Sequence, residues 1–198
     1  MISTLAGFKA AIQSIDAIVF KVVNGSAGHP VMDHVMLAAT WMGVGIIQTG
    51  LSLAFIIFGW YLDRVNLRRA GYAGLLAFAA SGIAVQIGKF IWDRPRPLLS
   101  LFDVRIVDGP LFTHSFPSGH TTTAFAVAFA CSVFLPRFRY VLIPMAFITA
   151  LSRVYCGVHY PLDVTYGGLI GALIGLAMAN YVRSFNTRNQ ELDVYNVM

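Results

Sequence analysis

Residues 164–182 read VTYGGLIGALIGLAMANYV, a stretch without a single charge. About 20 such residues, wound as a helix, cross the hydrocarbon core of a bilayer. Gly167, Gly171 and Gly175 recur within it at four-residue spacing, which puts three small residues on one helical face and permits close backbone contact with a neighbouring helix. Upstream lie four more uncharged runs, Val35 to Leu62, Ala70 to Gly88, Thr121 to Pro136 and Tyr140 to Ser152. Of the 198 residues 57% are hydrophobic and 12% charged, and the mean hydropathy is +0.69. This balance excludes a water-soluble globule. The expected fold is all-α: a polytopic membrane helical bundle of five to six transmembrane helices, with residues 1–198 forming one domain.

The count of five or six turns on residues 1–24. Lys9, Asp16 and Lys21 interrupt their apolar stretch, so they do not read as a cleavable secretory signal. They read as an amphipathic N-terminal helix that either lies in the interface or forms a first, poorer span, ending at Asn24 and Gly25. The net charge of +5 comes from bases at span ends, not from a basic cluster with exposed aromatics, so no nucleic acid partner is expected. Cys131 and Cys156 form neither a zinc pattern nor a disulfide framework and read as packing residues. Ordering the spans sends Arg64, Arg68, Arg69, Arg137, Arg139, Arg183 and Arg188 to one side, which is cytoplasmic by the positive-inside rule, with 184–198 as a cytoplasmic tail. The segments Lys89 to Gly119 and Arg153 to Asp163 then share the opposite, extracytoplasmic side.

On that side three segments place ionisable groups at span ends, where such groups are costly unless they have a task. Lys89 and Arg96 follow one span, Ser118, Gly119 and His120 open the next, and Arg153, His159 and Asp163 straddle the junction of the last two. Lys89, Arg96, Arg153 and the amides of a helix starting after Pro117 are donors suited to an anion with several oxygens, phosphate above all. A glycine lets the backbone approach such a ligand. Two histidines fit the remaining needs of phosphoryl transfer, an attacking group and a proton donor. Asp163 stands four residues after His159, about one turn on if a helix begins near Pro161, where it can hold one ring nitrogen protonated. Taken singly, Lys89 or Arg96 reads sooner as an anchor that snorkels to the interface; six positions together do not.

Lys89-x6-Arg96-Pro97, Pro117-Ser118-Gly119-His120 and Ser152-Arg153-x5-His159-x3-Asp163 resemble the three-part signature of the type 2 phosphatidic acid phosphatase superfamily, whose bundle is also that of the vanadium haloperoxidases. All three parts match, over roughly residues 70–183 as the catalytic core. The resemblance implies a membrane lipid phosphatase that needs no metal or cofactor and works through a phosphohistidine. His159 would be the nucleophile, Asp163 its orienting carboxylate and His120 the general acid. Lys89, Arg96, Ser118, Gly119 and Arg153 would hold the phosphoryl oxygens. Among the lipid substrates of similar proteins, undecaprenyl diphosphate ranks first, then phosphatidylglycerol phosphate or phosphatidic acid, then lipid A phosphate. The expected location is the inner membrane with the site facing the periplasm, and no obligate protein partner is expected. The rival readings are a phosphotransferase of the same family and an anion channel or transporter.

Other residues carry weaker expectations. Thr121 to Pro136 makes about 24 Å of helix and Tyr140 to Ser152 about 20 Å, against roughly 30 Å of hydrocarbon, so His120 and Arg153 are expected slightly below the outer edge. Arg94 either binds a second phosphate or pairs with Asp93, and His114 touches a head group or, as we favour, water. His29 and His34 read as interfacial residues. Trp92 and Tyr160 are belt aromatics that also neighbour the motifs and are candidates for a tail entrance.

Overall fold

The computed structural model describes the backbone of residues 2–26 and 28–197, and the side chains of residue 7 and of residues 10–26 and 28–185. Eight helices follow one another: α1 (Ile2–Gly25), α2 (Pro30–Trp41), α3 (Gly45–Tyr61), α4 (Val65–Ile91), α5 (Pro97–Ser100), α6 (Gly119–Phe134), α7 (Arg139–Tyr155) and α8 (Pro161–Val197). There is no strand among the described residues.

Helix α6 is the axis of the bundle, packed against α8, α4 and α7. Small residues make this possible. Ala126 and Ala130 of α6 lie buried against Ala70, Ala73 and Ala77 of α4, while the glycine face of α8 meets the other side of α6. A Cβ at Gly171 would lie 2.2 Å from the Thr122 carbonyl oxygen, and one at Gly175 would lie 2.3 Å from that of Ala126. The two helices therefore touch backbone to backbone, as the four-residue spacing anticipated. Cys131 is buried in the same core and Cys156 is buried near the end of α7, both as free thiols.

The apolar runs do not all become single helices. Val35 to Leu62 is divided into α2 and α3, bent by 57° at a short break. Gly43 lies in that break, and a Cβ there would come within 2.8 Å of both His120 Cβ and Thr149 Cγ2. The chain bends where only a glycine lets it sit against the start of α6. Non-helical backbone inside a membrane bundle must find partners within the protein; here Gly43 N–H donates to Thr40 O and Val44 N–H to Trp41 O, and the Gln48 amide donates to Met42 O. Helices α4 and Pro161–Phe185 of α8 are long and apolar enough to cross a membrane, and α2 with α3 makes a third span if counted as one. Helix α6 is shorter, with 16 residues. Helix α7 has 17 residues, about 26 Å, and begins at Arg139, so it is longer than its apolar run. A short span therefore argues for a submerged site at His120 more than at Arg153.

Helix α1 turns one face inward. Asp16, Phe20 and Asn24, at four-residue spacing, are 3%, 1% and 3% exposed, and the helix packs against α7 and α8. Arg64 and Arg137 line a common cleft where α4 begins and α6 ends, while Lys89 lies in the last turn of α4. The basic turns and the candidate site thus occupy opposite ends of the bundle. The backbone of the 184–198 segment continues α8 to Val197, and its side chains past 185, including Arg188, lie outside the described residues.

Candidate active site

Helix α4 ends at Ile91, and the prolines of Arg94-Pro95-Arg96-Pro97 keep the chain from resuming it. Arg96 turns back into the protein and is 3% exposed. Its Nε donates to Thr113 O at 2.8 Å, its Nη1 to Val158 O at 2.7 Å and its Nη2 to His114 O at 3.3 Å. Nη1 also stands 3.3 Å from His159 Nε2. Burial first, and then the nearby Arg153, lower the Arg96 guanidinium to about 10, which leaves it charged at neutral pH. Lys89 makes no salt bridge among the described residues.

Ser118 is the N-cap of α6, yet its own side chain does not cap the amides that follow it. The Ser118 amide is engaged by Asp163 O at 3.1 Å, and its hydroxyl accepts a bond from Thr121 Oγ1 at 3.0 Å. The first amides of Gly119 and His120 therefore point out of a helix start, the arrangement that favours anions. A Cβ at Gly119 would meet only Val85, at an ordinary 3.6 Å. Packing against the protein does not demand a glycine there, unlike Gly43 or Gly171.

The turn from α7 to α8 is made by Gly157, whose φ of +81° suits glycine; a Cβ there would also strike Arg105 O at 2.4 Å. The amides of Val158 and His159 both return to Arg153 O, at 3.2 and 3.3 Å. His159 is 2% exposed. Its Nδ1 faces Asp163 Oδ2 at 3.6 Å and has no hydrogen-bond partner among the described residues, while Nε2 faces Arg96. Burial lowers the imidazole to about 4, opposed by Asp163 and assisted by Arg96. The ring is neutral at pH 7, and with its proton on Nδ1 the Nε2 lone pair is the one turned to Arg96.

Arg153 is 1% exposed. Its Nη1 donates to Asp108 Oδ2 at 2.5 Å and to Thr40 Oγ1 at 3.3 Å, and its buried Nε has no partner among the described residues. Asp163 is held on both oxygens. Oδ1 accepts Arg94 Nη1 at 2.6 Å; Oδ2 accepts the Tyr160 amide at 2.9 Å and the Ser115 hydroxyl. Lys89 of α4, Ser118, Gly119 and His120 at the start of α6, Arg153 of α7, Asp163 of α8, and Arg96 and His159 of the connecting segments thus lie at one end of the bundle. Among the described residues, no three His, Cys, Asp or Glu side chains converge as a metal-binding group would.

Two open questions from the sequence are answered by geometry. Arg94 binds neither Asp93 nor a free face of the site: its two terminal nitrogens join Asp163 and Asp16, and its guanidinium lies 4.1 Å over the Tyr160 ring. His114 instead takes Asp93, at 2.6 Å, on the exposed loop. Tyr160 is 5% exposed and walled in by Phe20 and Arg94, so it does not form an entrance. The roles of Asp16, Thr40, Asp108 and Ser115 were missed. Only Asp16 had left a signal, as a carboxylate inside an apolar stretch.

Residues 71–187 match the PAP2 superfamily. The chain belongs to that family. Undecaprenyl-diphosphatase BcrC of Bacillus subtilis is 28% identical over 158 residues, covering 79% of this chain and 78% of the relative. A lipid A 1-phosphatase of Rhizobium etli is 34% identical over 141 residues, 69% of this chain and 57% of its own. The crystal structure of Aquifex aeolicus LpxE superposes with a TM-score of 0.67 at 30% identity, covering 82% of this chain and 93% of that one.

Proposed function

We propose that this PAP2 protein is a lipid phosphatase of the inner membrane that hydrolyses a phosphate monoester or diphosphate through a phosphohistidine on His159. The observation that carries the reading is the setting of that ring, with Nδ1 turned to Asp163 and Nε2 to Arg96. In the first step the Nε2 lone pair forms a bond to phosphorus as the bond to the leaving oxygen breaks, and His120 gives that oxygen a proton. In the second, His120 takes a proton from water, the water oxygen bonds to phosphorus, and the N–P electrons return to Nε2. Asp163 holds the Nδ1 proton while the ring carries positive charge, and the 3.6 Å approach shortens in that state. Lys89, Arg96, Arg153, Ser118 and the Gly119 amide bind the phosphoryl oxygens.

No step calls on a metal or cofactor. Undecaprenyl diphosphate ranks first as substrate, supported by the relative that covers most of this chain. Purified protein is expected to release inorganic phosphate from undecaprenyl diphosphate with a higher kcat/KM than from phosphatidylglycerol phosphate, phosphatidic acid or lipid A, and to do so undiminished in EDTA. Activity lost in EDTA and restored by Mg²⁺ would contradict the mechanism. Phosphate appearing on a lipid acceptor instead of in solution would make the protein a phosphotransferase.

The active end faces the periplasm in this reading, because the opposite end carries Arg64, Arg137 and Arg139. A reporter fused after Arg183 is expected to be active only in its cytoplasmic form; a periplasmic signal would reverse the orientation.

A further inference from the structure

The buried charges nearest the nucleophile include two that the phosphoryl-transfer steps do not use, Asp16 and Arg94. Arg94 holds Asp163 twice. Its Nη1 is the partner of Asp163 Oδ1 at 2.6 Å, and its carbonyl accepts the Ser115 amide at 2.8 Å, placing the Ser115 hydroxyl on Asp163 Oδ2. Asp16 takes the other terminal nitrogen of Arg94 through Oδ2 at 2.5 Å, and through Oδ1 accepts the Leu162 amide at 2.9 Å. That amide belongs to the first turn of α8, where backbone donors have no partner within the helix. One carboxylate from α1 therefore fixes both the helix that carries Asp163 and the arginine that grips it. Phe20, one turn on, packs on Tyr160 at 5.6 Å between ring centroids, and Tyr160 is the ring beneath Arg94.

The side chains of Asp16, Arg94 and Asp163 are 1%, 15% and 0% exposed. A buried ion network of this kind gains little stability over apolar replacements, whereas a planar fork that joins two carboxylates sets geometry well. We propose that Arg94 and Asp16 are positioning residues for the nucleophile: through them α1 fixes the carboxylate of Asp163, and with it the ring of His159. The proposal rests on His159 being the nucleophile.

The test is a double-mutant cycle on purified protein, reading kcat, KM and the rate of phosphoenzyme formation under rapid quench. Arg94→Ala is expected to lower kcat and phosphoenzyme formation together by about 10²-fold, the scale of a small misplacement at a reacting centre, with KM within about threefold. In an Asp163→Asn background the same substitution should cost less than about threefold, because the group it positions is already disabled. Asp16→Asn should lower kcat by roughly tenfold, and Asp16→Glu should recover part of it. If Arg94→Ala does not fold, Arg94→Lys, which keeps the charge and loses the fork, enters the same cycle. An unchanged kcat, or a full additional loss in the Asp163→Asn background, overturns the proposal. Failure of the wild type to release phosphate, or activity surviving His159→Ala, would instead overturn the assignment of His159.

Discussion

His159→Ala is expected to reduce phosphate release by about 10³-fold or more, with the variant still folded and monodisperse in detergent. Removing a covalent nucleophile typically costs this much or more. His120 is the second imidazole at this end, but the Nε2 that faces Arg96 belongs to His159. Acid-labile, base-stable phosphate should label the wild type and be absent from the variant. Turnover near wild type in His159→Ala would dismiss the covalent route. An anion path through the bundle, by contrast, would leave phosphate flux in proteoliposomes indifferent to this substitution.

The second large effect is on the fold. Gly171→Val should lower the thermal midpoint in detergent sharply and reduce the yield of folded protein, because even its Cβ would press to 2.2 Å of the Thr122 carbonyl oxygen. Backbone on both sides of that contact belongs to helices, so neither can yield without moving a whole span. Overpacking usually costs about 1–3 kcal/mol, and a clash with main chain on both sides belongs at the upper end or beyond. Gly82→Val is the control, since a Cβ at Gly82 meets nothing within 4 Å. Equal midpoints for the two variants would show that the α6–α8 seam does not hold the bundle together.

Much of this was readable from the residues. The two long apolar helices, α4 and Pro161–Phe185 of α8, followed from uncharged runs, and the helix packing from the spacing of Gly167, Gly171 and Gly175. Convergence of the site followed from the order of the spans, because alternating crossings return Lys89, His120 and His159 to one side. The unreadable parts share a physical reason: they depend on which of several chemically equal partners lies nearest in space. Arg94 is adjacent in sequence to Asp93, yet Asp93 pairs with His114, while Arg94 reaches Asp16 from far upstream. The break at Gly43 was hidden because hydropathy is blind to bends; an apolar run reads the same whether straight or folded by 57°. The sequence marks Arg153 as a donor suited to phosphate, and the structure also gives it Asp108, a carboxylate in a loop with no periodic pattern to place it.

The inward face of α1 bears on what can be moved between proteins. Asp16, Phe20 and Asn24 lie far before the first signature residue, yet they touch Arg94, Tyr160 and the carbonyls of Tyr155 and Arg105. The three signature segments are therefore not a portable cassette. Transplanted into another bundle with their spacing intact, they would arrive without the carboxylate that ties Arg94 to the start of α8, and a chimera designed from the signature alone would leave that support behind.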